Sequence, residues 1–263
     1  MLGIADSEGN ITLHEWNQDE SHLGNVSSIQ VIPSSDVLCL SLDWSNRRSP
    51  VSHPGRIVAS LSNGDLCVLD PELSSSEPEN LQSWHAHDFE PWIAAWDYWN
   101  TDVVYSGGDD LKLKAWDIRE DLSRPIFLNK RFDAGVTTIQ SHPHMEHLIA
   151  VGSYDSRVRL IDTRKPQTPV AEANVGGGVW RVKWHPNEAR KNDLLVACMH
   201  DGFKVVRFDL SDPSASSAEI LKRYDSHESL AYGVDWSFKQ ENSGDSVVAS
   251  CSFYDHSLHL WKA

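Results

Sequence analysis

The side chains with chemistry to offer are five aromatics, a carboxylate and an imidazole: Trp92, Trp180, Tyr154, Tyr232, Tyr254, Asp109 and His200. Gathered at one opening, the ring faces and the carboxylate would suit a quaternary ammonium, at roughly 0.5–2 kcal/mol per good cation–π contact. Exposed aromatics also serve as general protein-binding hot spots, and the residue types alone leave both readings open.

Other chemistry is thinly supported. There is no GxSxG elbow, HExxH pair, Gly-rich phosphate loop or EF-hand pattern. Gly176-Gly177-Gly178 has no helix after it. His142, His144 and His147 in SHPHMEH are metal ligands by type. They fall between two strands with nothing to orient them, so solvated loop residues are expected, with no metal and no cofactor. Cys39, Cys67, Cys198 and Cys251 each sit in an apolar run without CxxC or zinc spacing. They read as reduced, buried small hydrophobes. Cys198 reads as buried rather than nucleophilic.

The elements that must position these residues repeat along the chain. Runs such as LCVLD, LKLKAWD, VRLID, KVVRFD and LHLW share a slot at Trp16, Leu69, Trp116, Ile161, Phe208 and Trp261, spaced by 53, 47, 45, 47 and 53 residues. Each later run follows a turn rich in Asp, Asn or Gly and a second apolar run, as in VVYSGGDD before LKLKAWD, which reads as a hairpin. A third strand lies upstream, in LSLDWS, WIAAWDYW, VTTIQSHP, VWRVKWHP and YGVDWS. No segment has sustained helical periodicity. A unit of about 45 residues built from short strands predicts an all-β propeller.

These residues resemble the WD40 family: Trp116-Asp117 is its literal ending, and Ala86-His87 and Ser226-His227 stand at its Gly-His position. The expected fold is one WD40-type β-propeller over 1–263. It has a half blade at 1–17 and repeats at 18–70, 71–117, 118–162, 163–209 and 210–262. That is about five and a half repeats, which predicts an incomplete N-terminus. The stretches at 74–80, 211–219 and 239–246 read as surface loops.

In the family pattern an Asp six residues before the Trp slot fixes the blade's top turn. Asp110, Asp155 and Asp255 fit, Asn63 replaces one, and Asp201 is offset by one. Their expected role is structural, with His87 and His227 as partners. The preceding residue should project onto the top face, giving Asp109, Tyr154, His200, Tyr254 and Ser62. A second top-face slot opens the innermost strand, giving Trp92, Trp180, Tyr232 and Thr137.

Composition bounds the rest. With 263 residues, 40% hydrophobic, the chain can form one large domain or two modest ones. A net charge of −15 argues against a broad nucleic-acid interface and allows a cationic partner. No apolar run approaches the roughly 18 residues of a membrane span. Asp6 and Glu8 stand where a signal peptide would be positive. A soluble, cytoplasmic monomer without membrane or nucleic-acid partners is expected.

Several stretches are more specific. HDFEPWIAAWDYWNTDVVYSGGDDLKLKAWD, GGGVWRVKWHP, ACMHDGFKV, YGVDWS and SCSFYDHSLHLW closely resemble the diphthine methylesterase family, the WD-repeat proteins of diphthamide biosynthesis. The resemblance is strong over about 85–263, and Phe132 departs from the Gly-His pattern. It implies a carboxylic-ester hydrolase that removes the methyl ester from methylated diphthine on translation elongation factor 2. That substrate carries a trimethylammonium beside the ester. On this reading His200 is the general base and Asp109 orients it or attracts the cation. Trp92, Trp180, Tyr232 and Tyr254 cage the cation. Tyr154 or backbone N–H groups hold the oxyanion. The competing expectation is a non-catalytic WD40 scaffold for protein–protein interaction.

Overall fold

A computed structural model describes residues 1–32, 36–48, 55–72, 81–211, 216–239 and 245–263. The loop expected at 74–80 lies outside the described residues, as do the middles of the other two.

Apart from one 3-10 turn, Glu188–Arg190, the regular elements among the described residues are strands. They form six antiparallel sheets, each a meander of consecutive strands. The first comprises β1 (Leu2–Ala5), β2 (Asn10–Asn17) and β3 (His22–Gln30). The second comprises β4 (Cys39–Trp44), β5 (Ile57–Leu61), β6 (Asp65–Leu69) and β7 (Gln82–His85). The third comprises β8 (Ile93–Trp96), β9 (Val103–Gly107), β10 (Leu113–Asp117) and β11 (Phe127–Asn129). The fourth comprises β12 (Val136–Ser141), β13 (Leu148–Ser153), β14 (Arg157–Asp162) and β15 (Ala171–Asn174). The fifth comprises β16 (Arg181–Trp184), β17 (Asp193–Ala197), β18 (Phe203–Asp209) and β19 (Ser217–Tyr224). The sixth comprises β20 (Ala231–Trp236), β21 (Val247–Ser252) and β22 (Leu258–Lys262).

Two compact units divide the chain, Met1–Leu128 and Asn129–Ala263. The first half blade differs from expectation. Residues 1–17 supply β1 and β2, and β3 then joins them as a third strand, so the sheet runs to Gln30. Blade boundaries therefore lie downstream of the repeat boundaries, because the first strand of each repeat is the outer strand of the preceding sheet. β19 likewise starts inside the stretch expected to be a loop.

Within each unit, neighbouring sheets pack face to face. In the first, Ile11, Leu13 and Ile29 meet Ile57, Leu61 and Leu69, while Val58 and Leu66 meet Trp96 and Trp116. In the second, Val158 and Leu160 meet Val182, Trp184 and Phe208, while Phe203 and Val205 meet Val234, Trp236 and Trp261. Burying a side chain of this size contributes roughly 1.5–3 kcal/mol.

The tryptophans ending the inner strands also carry directional bonds. Trp96 Nε1 donates to Asp43 O (3.2 Å), Trp184 Nε1 to Gln140 O (3.3 Å) and Trp236 Nε1 to Lys183 O (2.9 Å). Each indole thus ties its strand to the inner strand of the preceding sheet, which accounts for the recurrent DW, AW and KW dipeptides.

Top turns are fixed as the spacing predicts. His87 Nδ1 donates to Asp110 (2.8 Å), and Ser106 bridges His87 Nε2 and Trp116 Nε1. Burial works to raise the Asp110 carboxyl, but the bond from His87 and the charges of Lys114 and Lys112 hold it down at about 2. In the sixth sheet Ser250 bridges His227 and Trp261 in the same way, with Asp255 3.3 Å from His227. Phe132 departs from this pattern and Arg159 compensates. Its guanidinium lies 4.9 Å from the Phe132 ring and 2.8 Å from Asp155.

The histidine cluster lies on the loop between β12 and β13, but it is not uniformly solvated. His142 is fully buried, its ring 4.4 Å from that of Trp184. Its Nδ1 accepts from the His144 and Met145 N–H groups, and its Nε2 donates to Lys191 O. That pattern requires neutral imidazole, and burial pushes its pKa down to about 4. Three of the cysteines are buried as expected, whereas Cys251 is exposed. It sits on β21, in a sheet whose third strand leaves Leu258 and Leu260 open to solvent. Cys198 is buried, and desolvation drives its thiol up to about 12.

Candidate functional site

In the second unit a cavity of about 580 Å³ is lined by Trp180, Tyr232, Cys251, Ser252, Phe253, Tyr254 and His256. Each wall has a local cause. Trp180 stands immediately before β16, where its N–H donates to Ala197 O (2.8 Å). Tyr232 is the extra residue of a β-bulge: Ala231 pairs with Ser252 and Gly233 with Cys251, leaving Tyr232 outside the register. Bulges re-aim a side chain, and this one presents Tyr232 to the cavity. Gly233 beside it leaves room for Cys251, whose Sγ would stand 2.3 Å from a Cβ there. Phe253, Tyr254 and His256 come from the turn between β21 and β22.

The rings form a continuous arc. Tyr154 lies 6.0 Å from Trp180, Trp180 5.2 Å from Tyr232, Tyr232 6.5 Å from Phe253, and Phe253 5.1 Å from Tyr254. The last three contacts are edge-to-face, the arrangement that ring quadrupoles favour. Burial raises the Tyr232 phenol, and Tyr254 adds to that shift, so Tyr232 stays a neutral hydroxyl near pH 7. Arg181 Cζ lies 5.5 Å from the Trp180 ring. Ser252 Oγ is buried with no hydrogen-bond partner.

The aromatics expected on one face of this unit thus come together: Trp180, Tyr232 and Tyr254 line the cavity and Tyr154 extends it. His200 is exposed and stands outside the lining. Its neighbour Met199 pairs with Ala231, next to Tyr232, so the His200 turn sits beside the rim. Thr137 occupies the same bulge position as Tyr232, yet it is buried and bonds the Gly152 and Val179 carbonyls.

The first unit holds the remaining pair. Trp92 Nε1 donates to Asp109 Oδ1 (2.7 Å), which commits that carboxylate to the indole. Gly108 makes the turn possible: a Cβ there would come within 2.5 Å of Glu90 O, the acceptor of the Asp109 N–H. Phe253, His256 and Cys251 were not anticipated. The signal was the aromatic density of SFYDH around Asp255.

With this geometry in view, comparison with known proteins decides the family. The chain is 37% identical to a diphthine methyltransferase homolog of Dictyostelium discoideum, covering 99% of this chain and 72% of that protein. It is 42% identical to the mouse diphthine methyltransferase over 90% of this chain and 50% of the relative. It is 33% identical to the fission yeast (Schizosaccharomyces pombe) protein of that name, over 100% and 74%. The chain belongs to the diphthine methyltransferase family. It spans half the length of the mouse relative and about three quarters of the slime-mould and yeast ones. The WD domain, G-beta repeat model matches residues 128–162. A chain of a mitotic checkpoint complex crystal structure superposes with a TM-score of 0.66 at 15% identity, over 100% of this chain and 87% of that one. That likeness shows the fold, an all-β chain of six WD40-type blades. No helix among the described residues is long and apolar enough to cross a membrane.

Proposed function

We propose that the chain hydrolyses the methyl ester of methylated diphthine on translation elongation factor 2, acting as one domain in the cytoplasm. The relatives' name supplies diphthine and a methyl group. The observation that carries the reading is the aromatic cavity, in a member of that family, of a size for a trimethylammonium and the ester beside it. A quaternary ammonium cannot donate hydrogen bonds, so ring faces rather than carboxylate clamps are what would select it.

In the reaction a water oxygen attacks the ester carbonyl carbon while an imidazole takes its proton. The C–OCH3 bond then breaks, the departing methoxide recovers the proton as methanol, and the carboxylic acid that remains releases its own proton to solvent as a carboxylate. Trp180, Tyr232 and Tyr254 hold the cation, and Tyr154 or backbone N–H groups face the oxyanion. His200 is the base assigned from the sequence. Asp109 and Trp92 enter as a bonded pair of the first unit, and their substitution tests that part alone. The protein needs no cofactor on this reading, since water is the co-substrate.

The test mixes purified chain with methylated, diphthine-bearing elongation factor 2 and measures methanol. Release at a rate proportional to chain concentration is the expected result. Binding without methanol would leave a scaffold instead. If His200→Ala and Asp109→Ala both demethylate at the wild-type rate, that catalytic pair is withdrawn.

A further inference from the structure

The cavity contains an imidazole of its own. His256 belongs to its lining, is exposed, and lies 6.4 Å ring to ring from Phe253. Its backbone is left-handed, with φ of 52°. The same left-handed step follows the anchoring aspartate at Leu111 (φ 60°) and Ser156 (φ 66°), so it belongs to the turn, and what singles out His256 is its place in the cavity lining.

What holds the turn is Asp255. Its carboxylate accepts from the Ser257 N–H (3.0 Å) and the Glu228 N–H (3.0 Å) and faces His227 Nδ1 (3.3 Å). Burial opposes ionisation there, but these bonds keep the carboxyl well below the usual carboxylate range. The turn closes from Ser252 N–H to Ser257 O (3.3 Å). Asp255 therefore fastens the loop to the buried histidine network of the sixth sheet. With that anchor fixed, the left-handed step at the next residue sets the side of the turn from which the imidazole emerges, and that side is the cavity.

We infer that His256 is the general base of the hydrolysis, in direct reach of a substrate whose cation rests on Trp180, Tyr232 and Tyr254. This rests on the proposed esterase reading. The titratable groups facing it are Tyr232, Tyr254 and Cys251, with Asp255 next in the chain. His200, on the rim turn, is then a neighbour of the site rather than its proton acceptor. The imidazole inside the lining accepts the proton of a water held against the ester carbonyl, and returns it to the leaving methoxide.

The deciding variant is His256→Asn, because asparagine tolerates a left-handed backbone and so preserves the turn while removing the base. Methanol release from methylated elongation factor 2 is measured for wild type, His256→Asn and His200→Ala. Tetramethylammonium binding is measured by calorimetry on each. The expected result is a kcat loss on the order of 10²–10⁴-fold in His256→Asn. Tetramethylammonium affinity should stay within about threefold, and the acidic limb of the wild-type kcat–pH profile should be lost. A His256→Asn kcat within about threefold of wild type overturns the inference. So does a parallel loss of kcat and tetramethylammonium affinity, which is the signature of a purely structural residue. Absence of methanol from wild type overturns the esterase reading and this assignment with it, whereas a wild type that works and a His200→Ala that alone fails overturns only the assignment.

Discussion

At the scale of single residues, two groups have opposite relations to water. Trp180, Tyr232 and Tyr254 keep ring surface available to a ligand, and each good contact with a quaternary ammonium is worth roughly 0.5–2 kcal/mol. Trp180→Leu is therefore expected to weaken tetramethylammonium binding by about 2- to 30-fold. Calorimetry giving an unchanged constant would remove Trp180 from the cage. His142 is sealed and neutral, with its pKa pushed down to about 4 from 6.5. Above pH 6.5 neither the folded nor the unfolded chain protonates it. Between pH 6.5 and 4 only the unfolded chain takes the proton, so the folded state loses stability across that window, by about 3 kcal/mol in all. Urea unfolding across pH 7 to 4 should show the decline for wild type and a flatter profile for His142→Gln. Equal slopes would mean that His142 is not the group responsible.

At the scale of elements, the cavity depends on one extra residue in β20. Gly233→Ala would drive a methyl group into Cys251 Sγ at 2.3 Å, whereas Cys251 Cβ stands at 4.0 Å. Overpacking of this kind costs about 1–3 kcal/mol. Gly233→Ala should destabilise the protein by that amount, and Cys251→Ala in the same chain should restore most of it. A double-mutant cycle with no coupling would show that the bulge absorbs the methyl elsewhere. Inner strands and hairpins were legible in the sequence because they repeat their wording and because β5, β9, β13 and β17 are buried on both faces. The outer strands were not. β19, SAEILKRY, is exposed along nearly its whole length, so no burial pattern marks it. The bulge itself is invisible to pattern reading, since a one-residue offset leaves composition unchanged. Aligning Tyr232 with Trp180 and Trp92 nevertheless found its slot. Tyr254 was found from its offset to Asp255, but His256 was not: the left-handed turn recurs after Asp110 and Asp155, where Leu111 and Ser156 stand, so the period marks the turn and not the imidazole.

At the scale of the whole molecule, charge is the property that acts beyond contact distance. Asp and Glu number 38 against 23 Lys and Arg, a net charge of −15. Such a surface raises the local concentration of cations and speeds their capture, and salt removes the effect as the screening length falls from about 10 Å at 0.1 M to 3 Å at 1 M. Ring faces act only at contact and are screened far less. The two contributions separate if choline is compared with its uncharged isostere, 3,3-dimethylbutanol. Raising salt from about 0.02 M to about 0.5 M should weaken choline binding several-fold and leave the isostere unchanged. At high salt choline should still bind more tightly, by the part of its affinity that comes from cation–π contact rather than from the field. If the two ligands converge at high salt, only the overall charge attracts the cation, and the aromatic cavity contributes no more than an apolar surface would.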